Sequence, residues 1–166
     1  MLRVDLRQEA SRITRELGKV VFVGALAINH YARFRGTRDI DLVAVNLPDE
    51  GKLSGLGYRR IEGSRNSWYT PRGVKADFYT KDLGGIPAGW IVKTSVSVKV
   101  GRKVIQVISL EGLIVSKLRA GRPQDIADLR QLVASRGRTI RWDVIAQIGD
   151  GLEVTELKRL AEALAS

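Results

Sequence analysis

Asp39 and Asp41 occupy alternate positions of the apolar, β-branched stretch RDIDLVAV, where an extended chain points both side chains the same way. Like charges held side by side repel, so without a counter-charge at least one of the two carboxyls should hold its proton more tightly. Two arrangements resolve the conflict. Hard divalent cations could answer it, because Mg²⁺ prefers a few carboxylate oxygens plus waters and substrate phosphates, and two such ions can activate an attacking oxygen and stabilise a leaving one. Alternatively, the pair lies at an exposed edge or beside a turn, bonded to arginines such as Arg35 or Arg38. Asp77, in KADFYT, would bring a third carboxylate to the same place if its strand neighbours the first in one sheet.

Upstream, VFVGALA ends a strand at Gly24 and starts a helix, so free backbone amides and the positive end of the helix dipole face one spot that would suit phosphate oxygens. A glycine at such a corner can equally serve its backbone angles alone. Downstream, Leu110, Leu113, Ile114 and Leu118 form one face of a helix that Gly121 should stop, and Lys117 falls inside that face. An inward ammonium must meet a carboxylate, a phosphate, or reach water along its stem. Asp125 projects among Ile126, Leu129 and Val133 of the next helix, so a Lys117 to Asp125 pair locking two helices is one outcome. Asp125 and Asp128 after Pro123 also suit a helix N-terminus on general grounds. In GSRNSWYTPRG, aromatic rings lie among Arg65 and Arg72; such rings can stack bases, or Trp68 can pack on the sheet of a hairpin, which is the favoured reading. His30, inside the helix after the glycine corner, reads as structural.

These residues need a scaffold, and the periodicity supplies one. Leu6, Ala10, Ile13 and Leu17 recur at helical spacing behind an Asp5 cap; KVVFVG is a short buried strand; ALAINHYARF returns to a helix through Ala27, Ile28, Tyr31 and Phe34. DIDLVAV is the second strand, followed by a loop with one helical turn between Asn46 and Gly57. Strands are expected at YRRIE, SWYT and KADFYT, with IVKTSVSV and KVIQVIS as a hairpin across Gly101. From Ser109 the pattern is helical in four segments. A seam near residue 108 divides an α/β core, residues 1–108, from a helical region, 109–166, packed on or beside it.

Composition narrows the chemistry. The 166 residues contain no cysteine and one histidine, which excludes disulfides, thiol nucleophiles, zinc-thiolate sites and a polyhistidine metal site within one chain. Lys and Arg total 28 against 18 acids, a formal charge of +10 that favours a polyanionic partner, although a basic surface can also serve solubility alone. No apolar run approaches a membrane span and the N-terminus does not read as a secretory signal, so the expectation is a cytoplasmic protein with no membrane partner.

A strand ending in Gly24-Ala25, thirteen intervening residues, D-I-D-L-V on a strand, and a later strand aspartate together resemble the signature of the nucleotidyltransferase superfamily typified by DNA polymerase beta. SLEGLIVSKLRAGRPQDIADLRQLV is similar to the helical region of the minimal subfamily that includes abortive-infection nucleotidyltransferase toxins. The resemblance implies a mixed, twisted sheet flanked by helices, and transfer of a nucleoside monophosphate from an NTP such as ATP to a hydroxyl acceptor on RNA, tRNA or protein. It implies that Asp39, Asp41 and Asp77 hold two Mg²⁺ ions, with Mn²⁺ as a substitute. Gly24 and Ala25 would seat the outer phosphates, Lys117 would offset the charge of pyrophosphate, and Arg38, Asp125 and Asp128 would support them. Ala25 stands where the family usually has glycine or serine, so only its backbone amide is available. The resemblance also allows an antitoxin partner. The alternative, of another class, is a non-catalytic nucleotide- or RNA-binding module on the same fold.

Overall fold

The computed structural model describes residues 4–32 and 36–165. Asp5 caps the first helix, α1 (Leu6–Leu17), by accepting from the amides of Arg7 at 2.9 Å and Gln8 at 3.4 Å, and the expected apolar stripe of Ala10, Ile13 and Leu17 is buried. β1 (Val21–Val23) runs straight into α2 (Gly24–Tyr31), and β2 (Ile40–Val43) follows. The expected ends of this connection, Phe34 and Arg35, lie outside the described residues. A short helix, α3 (Glu50–Gly55), leads to β3 (Arg59–Arg60), β4 (Ser67–Tyr69) and β5 (Lys75–Tyr79).

After β5 the chain makes a small hairpin, β6 (Asp82–Leu83) with β7 (Ile86–Pro87), then α4 (Ala88–Lys93), and then the hairpin of β8 (Val96–Val100) and β9 (Lys103–Val107) turning at Gly101. Here the expected strand IVKTSVSV is corrected: Ile91 to Lys93 are helical and the strand begins only at Val96. Pro87 starts the helix and cannot donate to a ladder, Ile91 is fully buried, and the Thr94 and Ser95 hydroxyls donate back to the carbonyls of Trp90 and Val92 at the helix end. Burial outweighed the β-branched local pattern.

The main sheet has seven strands in the order β3-β4-β5-β2-β1-β9-β8; β2 pairs parallel with β5 and β1 parallel with β9, and the other neighbours are antiparallel. The chain closes with α5 (Leu110–Ala120), α6 (Pro123–Arg136), a single 3₁₀ turn (Gly137–Thr139), α7 (Trp142–Ile148) and α8 (Gly151–Ala165). The architecture is therefore the mixed α/β fold with a C-terminal helical region that the sequence implied. One buried apolar cluster runs from Ala10 through Phe22, Leu42 and Ile114 to Leu157, so sheet and C-terminal helices share a core. Tyr31 ties α2 into it: its hydroxyl donates to the Ile108 carbonyl at 2.7 Å, and its own carbonyl accepts from Arg136 at 2.9 Å.

α1 is pinned to the β4–β5 turn by Arg72, whose guanidinium meets Glu9 at 2.8 Å and Glu16 at 2.6 Å, while the Tyr58 hydroxyl donates to Glu16 at 2.9 Å. Glu9 has no exposed surface, and its next cation, Arg12, stands 3.9 Å away. Removing Arg72 strands a buried carboxylate. Arg72→Met should cost about 3 kcal/mol in urea unfolding, and Glu9→Gln in the same chain should recover part of the loss, because the uncompensated charge goes with it.

Candidate active site

The register of the sheet places one row of side chains on one face. Asp41 on β2 is aligned with Val23 on β1 and with Asp77 on β5, and Asp77 in turn with Ser67 on β4. Residues directly opposite one another share a face, so Ser67, Asp77 and Asp41 lie side by side. The Ser67 hydroxyl donates to Asp77 Oδ1, and Asp77 lies directly beside Asp41 in the ladder. Burial alternates along β5: Ala76 and Phe78 are in the core, whereas Lys75, Asp77 and Tyr79 are half-buried on the face of the acids.

This crowding has an electrostatic cost. Burial and then the charge of Asp77 push the Asp41 carboxyl up to about 6; Asp39 adds to the effect, and Lys117 opposes it. The same charges raise the Tyr79 hydroxyl, after burial, while Arg122 lowers it. Asp39 itself is exposed, one position before β2; its amide donates to the Thr37 hydroxyl at 3.2 Å and its carbonyl accepts from that hydroxyl at 3.1 Å. Arg38 is exposed beside it and pairs with neither aspartate.

Gly24 closes one side of the pair. It follows Val23, begins α2 with φ +63°, and a Cβ built there would collide with Asp41 Oδ2. Glycine is thus required twice, for the left-handed backbone and for the approach of the carboxylate. Gly24 is half-buried, whereas Ala25, 5% exposed, turns its methyl into the protein.

Lys117 is buried, with its ammonium 3.1 Å from Asp125 and 2.9 Å from Asp128, so in this structure the helix-locking arrangement holds and takes in both acids. Asp125 also accepts from Arg122 Nε at 2.7 Å; although burial pushes its pKa up, the bonds from Arg122 and Lys117 outweigh this and hold it below the ordinary value. Gln124 donates to Asp128 at 2.9 Å. The cluster borders the acid row, since Asp41 feels the charge of Lys117 and Tyr79 that of Arg122.

The structure thus brings Asp41, Asp77 and Gly24 together, sets Asp39 at the open margin, and ties Lys117, Asp125 and Asp128 into an adjoining ion cluster. Ser67 and Arg122 were not singled out from sequence. Ser67 would have required the β4–β5 register, and Arg122 reads as an ordinary residue before a helix. The donor set is hard oxygen, which fits a divalent cation of the Mg²⁺ class that fills its remaining positions with water and phosphate. Among the described residues no three acidic or histidine side chains already form a metal cage. Two grooves, of about 670 and 510 Å³, lie away from the acids, one beside α6 and α8 and one between α1 and the β8–β9 hairpin.

A mixed sheet with a glycine corner leaning on paired strand aspartates is the arrangement of a nucleotidyltransferase. Residues 72–163 match the family described as nucleotidyl transferase of unknown function (DUF2204), and the chain belongs to that family. The match, just over half of the chain, takes in Asp77, Lys117, Asp125 and Asp128 and begins after Gly24, Asp39 and Asp41. No curated protein matches the chain.

The raised Asp41 carboxyl makes the pair a measurable weakness of the metal-free fold. The folded state retains a proton that the unfolded chain has lost between about pH 3.8 and 6, so this group's contribution lowers stability as pH rises through that window. In a chelating buffer, Asp41→Asn should therefore raise unfolding free energy at pH 8 by roughly 1–3 kcal/mol and leave it nearly unchanged near pH 4. A variant that is destabilised at pH 8 would contradict the electrostatic reading of the pair.

Proposed function

We propose that the protein transfers a nucleoside monophosphate from an NTP to a hydroxyl acceptor. The observation that carries this reading is the in-register contact of Asp41 with Asp77 under the glycine corner. An oxygen of the acceptor attacks the α-phosphorus, the bond from that phosphorus to the bridging oxygen breaks, pyrophosphate leaves, and the hydroxyl proton passes to solvent. Asp41 and Asp77, with Asp39 at the margin, would hold two Mg²⁺ ions, which when bound neutralise phosphate charge and acidify the acceptor hydroxyl.

The chain's own residues then do the positioning. Asp77 is held by the Ser67 hydroxyl, which bonds one of its oxygens. Gly24 leaves room for Asp41 Oδ2 and presents the first amides of α2 to phosphate oxygens. Lys117 adds positive field beside Asp41, favouring the departing pyrophosphate, with Asp125 and Asp128 fixing where that charge sits.

A second reading, a nucleotide- or RNA-binding module without turnover, draws on two features: Ala25 offers no hydroxyl, and Lys117 already has two carboxylates. Transfer of label from NTPs onto RNA, tRNA or protein separates the two. On the enzyme reading, incorporation needs Mg²⁺ or Mn²⁺, and Asp77→Asn lowers it by about 100-fold or more while NTP binding is partly retained. Equal turnover in Asp77→Asn removes the enzyme assignment, and salt-sensitive RNA affinity with no incorporation supports the binding module.

A further inference from the structure

Two residues along the sheet from the acid row, on the same face, lies a second row of different character. Arg59 on β3 is aligned with Tyr69 on β4, and Tyr69 with Lys75 on β5. Side chains two positions apart on a strand share a face, so Tyr69 follows Ser67 and Lys75 precedes Asp77 on the surface that carries the carboxylates. Continuing the β2–β5 register back by one residue sets Asp39 beside Lys75. The rows are separated by two residue steps, about 7 Å.

The alternation in SWY sorts the two aromatic residues. Trp68 points into the core, 7% exposed and stacked on Phe78, whereas Tyr69 is 37% exposed and has the Arg59 guanidinium over its ring, 5.5 Å from the centroid. The cations of this row differ from the arginines that brace the helices. Arg72, Arg119 and Arg141 are spent on carboxylates, while among the described residues neither Arg59 nor Lys75 has an acid within ion-pair distance. Arg38, also without an acid at ion-pair distance among the described residues, stands two residues before β2 near the same margin. An exposed ring held by a guanidinium, with free cations on either side of it, matches the two things a polynucleotide strand offers: a base with a π-face and a phosphate on each nucleotide. The formal charge of +10 adds long-range attraction for such a chain.

We propose that the Arg59–Tyr69–Lys75 row is the docking platform for a single-stranded polynucleotide acceptor, stacking a base on Tyr69 and pairing its backbone phosphates with Arg59 and Lys75, so that its terminal hydroxyl reaches Asp77. This rests on the transfer reading above and names the acceptor class for that same site. It excludes a protein side chain as the main acceptor, because a tyrosine or serine acceptor has no use for a stacking ring flanked by phosphate-binding cations.

The test uses the full chain and fluorescein-labelled single-stranded RNA and DNA of about 10 nucleotides, followed by fluorescence anisotropy. Tyr69→Ala should weaken binding by about tenfold and Tyr69→Phe by less than about twofold, since the ring and not the hydroxyl carries the stacking. Lys75→Gln should weaken binding and reduce the salt dependence of log affinity by about one phosphate's share, which a merely structural role would not do. RNA against DNA arms identify the source of the strand. Unchanged affinity in Tyr69→Ala and Lys75→Gln, with both variants unfolding at the wild-type urea concentration, overturns the platform, as does label transfer that goes to protein and not to either oligonucleotide. If Asp77→Asn abolishes transfer while the Tyr69 variants bind normally, only the platform fails. If no transfer occurs in the wild type but oligonucleotide affinity still depends on Tyr69, the platform stands and the transfer reading fails.

Discussion

Holding Asp41 against Asp77 is the constraint around which the rest of the protein is arranged. Two carboxylates in contact gain nothing from each other, and burial alone already penalises the charge on Asp41. The parallel β2–β5 ladder enforces the contact over four aligned residue pairs, and a slip of one residue would turn an acid into the core on one strand. Three neighbours moderate the cost, against Asp39, which adds to it: Ser67 bonds one oxygen of Asp77, Gly24 withholds a Cβ from Asp41, and Lys117 sends positive field across the gap. None of them removes the repulsion. What remains is a site whose negative charge is only partly offset, which is the condition the proposed divalent cation would meet.

The C-terminal helices are a working part of that arrangement. α5 and α6 meet through Lys117, Asp125, Asp128 and Arg122, and this cluster supplies the field that Asp41 and Tyr79 feel. Arg119 at the end of α5 holds Glu153 of α8 and the carbonyls of Gly84 and Ile148, so the ion cluster is braced from behind by three further parts of the chain. The family match runs from the β4–β5 turn to α8. Asp77 and its helical cover thus form one shared stretch, and β1, α2 and β2 complete the site from the other side of the ladder.

Much of this was legible from residue order because the signals were local. Asp5, Gly24, Gly101 and Gly121 each sit where a cap or a positive backbone angle is required, and the helical periods of α1, α5, α6 and α8 each have a buried side. Asp39 and Asp41 could be set on one face by counting, but only pairing could decide that Asp41, and not Asp39, meets Asp77 directly. The same limit hid Ser67, whose role exists only through the β4–β5 register. For Lys117 the sequence posed the right question, an ammonium inside an apolar face, and offered one carboxylate where the fold brings two. IVKTSVSV was misread because its β-branched residues suit a strand locally, whereas the place reserved for Ile91 lies under β2 and is reached by a helix.

The two faces of the sheet divide the work of folding from the work of chemistry. On β5, Ala76 and Phe78 join Ile40, Leu42 and Phe22 in the core, while Lys75, Asp77 and Tyr79 join Asp41, Ser67 and Tyr69 on the other side. Since the period of a strand is two, the residues that hold the sheet and the acids are interleaved along the same five positions of β5. The exposed half of the β3–β4–β5 edge carries Arg59, Tyr69 and Lys75 on the face of the acids, away from Trp68, Ala76 and Phe78. The one place where the two faces cannot be separated is the β1–α2 corner, where Val23 is core, Gly24 is site, and a single added methyl would push Asp41 away from Asp77.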